Sequence, residues 1–327
     1  MKRIAIVGAG FSGLVLAGRL ADTAEVRLFE KSRGPGGRAA TRRIGDYSFD
    51  HGAQFFTART AAFQEFLEPL SSAGVIRDWP ARFAEIDDGH IRSQREWGEG
   101  YAHYVATPGM NALGKFLASG LSIALNTEIS SIDKRADGWH LRDQLERDHG
   151  HFDWLVLTAP AAQTGELAAQ HADLSALCED RQMLGCFALM LGFSEPLDLP
   201  WDAAVVRHAD ISWMAVNSSK PQRGERFTMV VHSTNRWAER HIDDDEETVE
   251  AHLLAVATEQ SGVNLGAAEV TQLQRWRYAN LPKQTGPEFF VDSEAGVAAC
   301  GDWFIRGRIE AAFASASGLA DELLARL

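Results

Sequence analysis

The sequence predicts an α/β fold in which a Rossmann-type βαβ unit opens the chain and a mixed α/β lobe is inserted further along. Three observations predict it. The apolar run Ile4-Ala5-Ile6-Val7 leads through Gly8-x-Gly10-x-x-Gly13 into Leu14, Leu16 and Leu20 at helical spacing, then into a second strand, Val26-Arg27-Leu28-Phe29, that ends at Glu30. Near the other end, the run Gly296 to Cys300 reads as a strand that meets Gly301-Asp302 and is followed by a helix through Leu319, Leu323 and Leu324. From about Ala161 to Gln274 helices alternate with strands and no nucleotide motif occurs.

Each position of the opening unit has a physical reason. Gly8 permits the tight turn off the strand, Gly10 has no side chain to keep a pyrophosphate from the backbone, and Gly13 lets the helix pack closely on the sheet. The helix N-terminus offers unpaired N–H groups and partial positive charge to phosphates. Glu30 is placed to accept hydrogen bonds from a ribose diol, and its charge repels a 2′-phosphate. Glycine-rich turns are common, but strand, helix, second strand and terminal acid in register make this one a dinucleotide site.

Composition excludes some classes. The chain has 327 residues, enough for about two domains, and 45% of them are hydrophobic, enough for a substantial core. A net charge of −13 argues against nonspecific binding to nucleic acid or to an anionic membrane. Cys178, Cys186 and Cys300 show no paired or metal-ligand spacing and fit reduced thiols of a cytoplasmic protein. No stretch is long and apolar enough to span a membrane, and residues 4–20 are read as the first strand and helix of the fold rather than as a signal peptide. No metal site is expected.

Along the chain, Lys31 to Arg38 is a turn rich in helix breakers at the C-terminal edge of the second strand, where ligands of open α/β sheets bind. Gly36 and Gly37 allow close approach and Arg38 offers a charged donor to phosphate. Tyr47 and Phe49 alternate as a short strand, and His51 beyond it is read as a hydrogen-bonded core histidine rather than a base. Phe63, Phe66, Leu67 and Leu70 mark a helix over 61–74; short strands and loops follow over 75–104, with Asp87-Asp88-Gly89-His90 as a hairpin. Thr107 is read as the cap of a helix with Pro108 at its first position, running through Leu113, Phe116 and Leu117.

Residues 121–132 read as one strand, 139–142 and 152–160 as further strands, and 143–151 as a solvated hairpin tip. A helix is expected around 167–177, and strands at 186–193, 203–206, 211–216 and 227–232. The acids 243–247 suit the first turn of a helix through Val249 and Leu253 better than a metal. Trp276, with Trp213 and Trp237, makes a tryptophan-rich set, usable as a stacking platform for a planar ring or simply as core filling.

The pairing of Gly8-Ala9-Gly10-Phe11-Ser12-Gly13 and Glu30 with Gly36-Gly37-Arg38 resembles the two-part FAD fingerprint of the amine-oxidase-like flavoproteins. The fold class is then a Rossmann-type FAD-binding domain with an inserted mixed α/β substrate domain. The resemblance implies that Gly8, Ala9, Gly10, Ser12, Gly13, Glu30, Lys31, Gly36, Gly37 and Arg38 line the cofactor, that Gln54, Phe55, Phe56 and Thr57 pass beside the flavin ring, and that the backbone of Ile129 touches adenine. It makes Asp302 a holder of a ribityl or phosphate-side oxygen and aims amides near Ile309 to Ala311 at flavin N1/O2. It also adds a second reading of Thr107 and Asn111, as residues facing the ring.

With DHGAQFF at 50–56, RWRYA at 275–279 and GDW at 301–303, the chain as a whole resembles the renalase family and its bacterial members. That implies FAD held without a covalent bond and an oxidase acting on 2- and 6-dihydro isomers of NAD(P)H, with O2 reduced to hydrogen peroxide. The expected partners are a small dihydropyridine nucleotide and O2, with no nucleic acid and no membrane. The expected FAD domain is discontinuous, 1–60, 105–160 and 280–327, with 61–104 and 161–279 as substrate domain. A flavin amine oxidase, with an aromatic cage and often a lysine-held water, is the nearest alternative, and Lys283 is the lysine expected near such a site; a non-catalytic FAD-binding protein is the other.

Overall fold

The computed structural model describes residues 1–98 and 101–327; Glu99 and Gly100, within the stretch read as strands and loops, lie outside the described residues. The chain divides into two compact units. The first comprises Met1–Ala39, Leu113–Met183 and Asn280–Leu327, the second Ala40–Ala112 and Leu184–Ala279.

The first unit is built on a six-stranded sheet in the order Phe290–Asp292, Val297–Ala299, Trp154–Leu157, β1 (Arg3–Val7), β2 (Glu25–Phe29), Ser122–Ala124. All neighbours run parallel except the outermost pair, Phe290–Asp292 against Val297–Ala299. The central strands are apolar throughout because helices cover parallel sheets: Ile4, Ala5, Ile6, Leu155, Val156 and Leu157 are fully buried. Helix α1 (Phe11–Leu20) follows β1 directly, and eight of its ten residues are buried, since it is clasped between the sheet and the C-terminal helix Ile309–Leu324. Ser12 Oγ donates to Ala312 O at 3.2 Å across that helix pair. A three-stranded antiparallel sheet, Ile129–Arg135, Gly138–Asp143 and Asp148–Phe152, completes this unit.

The second unit is built on a seven-stranded sheet in the order Val270–Asn280, Leu184–Phe193, Phe227–Ser233, Ile211–Val216, Ala203–Arg207, Arg82–Asp87, His90–Glu96. Its second strand, Leu184–Phe193, alternates between two buried faces. Phe187, Leu189 and Leu191 join Val249, Leu253 and Ala257 of the helix Glu246–Ser261, while Ala188 and Met190 meet Tyr47 and Phe49 of the hairpin Thr41–Ile44/Tyr47–Asp50. The helix starts where Asp245 accepts the Thr248 N–H and stops at Gly262, whose φ is +71°. The 87–90 hairpin forms as expected, with Asp88 and Gly89 both left-handed at φ +53° and +68°.

Several expectations are corrected. Thr107 does not cap a helix and Pro108 does not begin one: Thr107 Oγ1 donates to Gly74 O at 2.7 Å, and the helix runs Asn111–Leu117. The strand expected over 121–132 is two, Ser122–Ala124 and Ile129–Arg135, in different sheets, because Asn126 turns the chain at φ +51°. The strand expected over 152–160 is likewise split at Asp153, whose carboxylate accepts the Lys2 ammonium at 3.0 Å and the Arg3 N–H at 2.8 Å. The span 143–151 is only partly a solvated tip: 148–152 is a strand, and Asp143 is fully buried, accepting from Arg147 at 2.7 Å and within 3.0 Å of His149. The helix around 167–177 is two, Ala161–Leu167 and Ala172–Glu179, the second capped by the His171 ring. The unit boundaries also differ from the expected ones: 40–60 and 105–112 group with the second unit, where Tyr47 and Phe49 pack on its sheet, and 161–183 with the first, where Leu174 and Cys178 join Leu155 and Leu157.

Candidate functional site: a dinucleotide cradle and a buried ionic turn

In the first unit the two glycine segments lie against each other. The Gly36 N–H donates to Ala9 O at 2.8 Å, and Gly10 and Gly36 form a parallel bridge. Gly13 is required by contact, since a Cβ there would stand 2.1 Å from Gly8 O. Gly10 is different: a Cβ there would meet no protein atom within 4 Å. The space over Gly10 is open, at the head of a helix that no side chain caps, which is the cradle a pyrophosphate needs. The C-terminal helix likewise has no side-chain cap from Arg308, and Ile309 and Ala311 lie in its first turn.

The charged groups of this unit are ordered. Glu30, buried at the end of β2, accepts the Ala9 and Ser32 N–H groups, both at 2.8 Å. That fixes its carboxylate at the rim of the glycine turn. Arg38 grips Asp302 with two hydrogen bonds of 2.9 and 2.6 Å, joining the second and third elements of the motif set. The Gly301 N–H donates to Ser315 Oγ at 2.9 Å, which holds the strand-to-helix passage. Ile129 begins its strand in a buried position, and Lys31 lies exposed, 3.9 Å from Glu128. These residues fit FAD. Cys300, immediately before Gly301, is fully buried, and burial pushes its thiol well above the ordinary range, so it is a poor nucleophile toward a flavin.

Gln54, Phe55, Phe56 and Thr57 belong to the second unit, where an ionic network fixes the turn that precedes them. Asp50 is fully buried at the end of its strand. It accepts from Thr41 Oγ1 at 2.7 Å, the Met110 N–H at 2.9 Å, Arg223 at 2.7 and 2.8 Å and Lys220 Nζ at 3.4 Å. Burial pushes its carboxyl up, but Lys220, Arg223 and the hydrogen bonds outweigh it and hold the group below its ordinary value. Lys220 Nζ also donates to Gln54 Oε1 at 3.1 Å and Asn217 Oδ1 at 3.0 Å. Burial lowers its ammonium to about 8 against the pull of Asp50. The lysine of this turn is therefore Lys220, not Lys283, which lies exposed in the first unit's 281–289 loop.

Around this network stand rings. His51 and Trp276 stack at 5.4 Å and 14°, and Trp276 Nε1 donates to His51 O at 2.8 Å. Burial and Arg42 push the His51 ring down to about 4, so it is neutral at pH 7; it is a core histidine as expected, but its buried Nδ1 has no hydrogen-bond partner among the described residues, unlike the hydrogen-bonded ring expected. Phe56 pairs through its backbone with Tyr104. Phe55 packs on Trp97, His103 and Trp213. The three tryptophans do not form one platform: Trp276 is with His51, Trp213 with Phe55, and Trp237 lies between His241 and His252 in the core beneath the helix Glu246–Ser261. Thr107 is used up by Gly74, whereas the Asn111 N–H donates to Thr41 Oγ1 at 3.2 Å, beside Asp50. The sequence reading missed Asn217, Lys220 and Arg223; a Lys and an Arg three residues apart around a proline gave no local sign of a carboxylate partner.

Residues 58–324 match the model of a flavin-containing amine oxidoreductase, and residues 6–70 that of an NAD(P)-binding Rossmann-like domain. A zeta-carotene-forming phytoene desaturase of Myxococcus xanthus is 44% identical over 52 residues, covering 16% of this chain and 10% of that protein. Among solved structures, a candidate protoporphyrinogen oxidase from Exiguobacterium sp. 255-15 superposes with TM-score 0.80 at 14% identity, over 100% of this chain and 99% of the other. Putrescine oxidase bound to putrescine gives TM-score 0.72 at 11% identity, over 99% of each chain. An oxidoreductase from Methanosarcina mazei gives 0.73 at 14%, over 98% of this chain and 100% of the other. At these identities the superpositions speak for the fold.

Proposed function

From the premise that this chain belongs to the flavin-containing amine oxidoreductase family, with FAD as its non-covalent cofactor, we propose that it oxidises 2- and 6-dihydro isomers of NAD(P)H to NAD(P)+ and reduces O2 to hydrogen peroxide. One observation carries the reading. The segments DHGAQFF and RWRYA, whose resemblance to the renalase family suggested it, lie more than 200 residues apart in sequence, yet they meet in the stacked pair His51–Trp276 and its 2.8 Å hydrogen bond.

The first unit is the FAD carrier in this reading. The open face over Gly10 would take the pyrophosphate, Glu30 the ribose diol, and Arg38 and Asp302 the phosphate and ribityl side. FAD bound there would supply the two-electron hydride acceptor and the route of those electrons to O2. A dihydropyridine expels hydride from its ring carbon with the push of its nitrogen lone pair and becomes a pyridinium, so no side chain has to take a proton from it. His51, neutral and stacked, and the Gln54–Lys220 contact hold the turn in one geometry, which is the positioning this chemistry asks of the protein.

A second reading, flavin amine oxidase, is favoured by Lys220, a buried ammonium lowered to about 8 beside Gln54. Anaerobic mixing separates the two. Bleaching of the flavin by 2- or 6-dihydroNAD, with NADH and putrescine inert, is the expected result. Bleaching by amines alone gives the second reading, and a flavin that nothing bleaches points to a non-catalytic FAD protein.

A further inference from the structure

Trp97, His103, Trp213, Phe55 and Phe83 form one ring cluster within the second unit. Trp97 stacks on His103 at 3.8 Å and on Phe83 at 5.2 Å, lies 6.1 Å from Trp213, and Phe55 stands 4.8 Å from Trp97. Inside this cluster Trp97 Nε1, Trp213 Nε1 and His103 Nδ1 are all buried and have no hydrogen-bond partner among the described residues. Indole N–H groups in protein interiors almost always find an acceptor, because leaving one unmade forfeits its bond to water. Here three unmade groups gather in one cluster, and aromatic packing alone gives no reason for them. Trp79, which packs edge-on to Trp97, has its Nε1 satisfied by Ser219 Oγ at 3.1 Å.

We propose that the cluster of Trp97, His103 and Trp213 is a subsite for a planar ring carrying a carboxamide. This rests on the reading of the substrate as a dihydronicotinamide and names the residues that select it. A carboxamide oxygen has two lone pairs for two indole donors, and its NH2 suits an imidazole nitrogen that bears a lone pair. Burial lowers His103, which keeps that nitrogen able to accept at neutral pH. Arg95 over Phe83 at 5.1 Å and Arg59 over Tyr101 at 4.6 Å bring two guanidiniums to the cluster, beside the Asp78 carboxylate that accepts the His103 backbone N–H at 2.8 Å, and they suit a ring attached to phosphate. Phe55 links this subsite to the 54–57 turn.

The test is calorimetric titration of the FAD-loaded protein with three probes: NAD+, nicotinic acid adenine dinucleotide, in which a carboxylate replaces the amide, and ADP-ribose, which lacks the ring. NAD+ is expected to bind at least about tenfold tighter than either. Trp97→Phe and Trp213→Phe, which keep a ring and remove the donor, are each expected to weaken NAD+ about tenfold while leaving ADP-ribose and the FAD content unchanged. Arg95→Ala, on an exposed strand, is expected to weaken all three at low salt and to match the parent at high salt. ADP-ribose binding as tightly as NAD+, or NAD+ binding unaltered by both Trp→Phe changes, overturns the subsite. A protein that oxidises the isomers with unchanged KM in both variants also overturns it while the proposed function stands. Tenfold amide selectivity without isomer oxidation keeps the subsite and removes the proposed reaction.

Discussion

Asp50 is the residue on which the second unit's functional turn depends, because its carboxylate is the anion shared by two buried cations, Lys220 and Arg223. Removing one partner of such a set leaves uncompensated buried charge, a loss of about 3–5 kcal/mol. Asp50→Asn should therefore lower the unfolding free energy by that amount in urea titrations, and Lys220→Met in the same chain should restore part of it; a single change costing under about 1 kcal/mol would contradict the assignment. His51 gives a pH dependence of definite sign. Its folded pKa, about 4, lies below the ordinary value of 6.5, so the unfolded chain binds the proton first. Its contribution is full above pH 6.5 and is lost as pH falls toward 4, which adds an acid-side loss on the order of 3 kcal/mol. His51→Phe, which keeps the stack on Trp276, should flatten the stability profile over that window, read from denaturant midpoints at several pH values. Asp50 and His51 stood out in the sequence as part of DHGAQFF. Their partners did not, since burial 170 residues away leaves no local periodicity or spacing to read.

At the scale of elements, the glycines of β1–α1 divide into two kinds, and substitution separates them. Gly13→Ala puts a methyl against Gly8 O and should damage the apoprotein itself, lowering its melting temperature. Gly10→Ala meets no protein atom, so the apoprotein should melt as the parent does while FAD content after purification drops by about tenfold or more, because the methyl enters the pyrophosphate path. Equal FAD content in the two would refute the cradle. Gly114 extends the argument beyond the recognised motif: a Cβ there would stand 2.4 Å from Gly36 Cα, so the helix Asn111–Leu117 presses directly on the 34–38 turn. The βαβ opening was legible because its signals are local, with apolar runs, glycine spacing and a terminal acid all within thirty residues. Elements whose ends are set by distant groups were not. Thr107 looked like a helix cap until Gly74 claimed its hydroxyl, and the break at Asn126 is a single left-handed residue within an otherwise strand-like run.

For the whole molecule, FAD bound to the folded protein stabilises it by linkage, about 2.7 kcal/mol when free FAD is about 100-fold above its Kd. Protein stripped of flavin should melt lower and recover on adding FAD, and acid precipitation should leave the yellow colour in the supernatant. Colour in the pellet would mean a covalent bond. The two-unit plan and its discontinuity were legible from motifs at both ends of the chain, but the boundaries were not, because 40–60 and 161–183 carry no nucleotide motif and are assigned by the sheet each packs on. The strand order of the first sheet has a consequence for how the protein is made on the ribosome. β1 leaves the ribosome almost three hundred residues before Val297–Ala299 and the helix Ile309–Leu324 that clasps α1. At about 5–20 residues per second, the nascent glycine turn waits some fifteen seconds or more for its far wall, so β1 and α1 stand without the strand and helix that flank them for most of that interval.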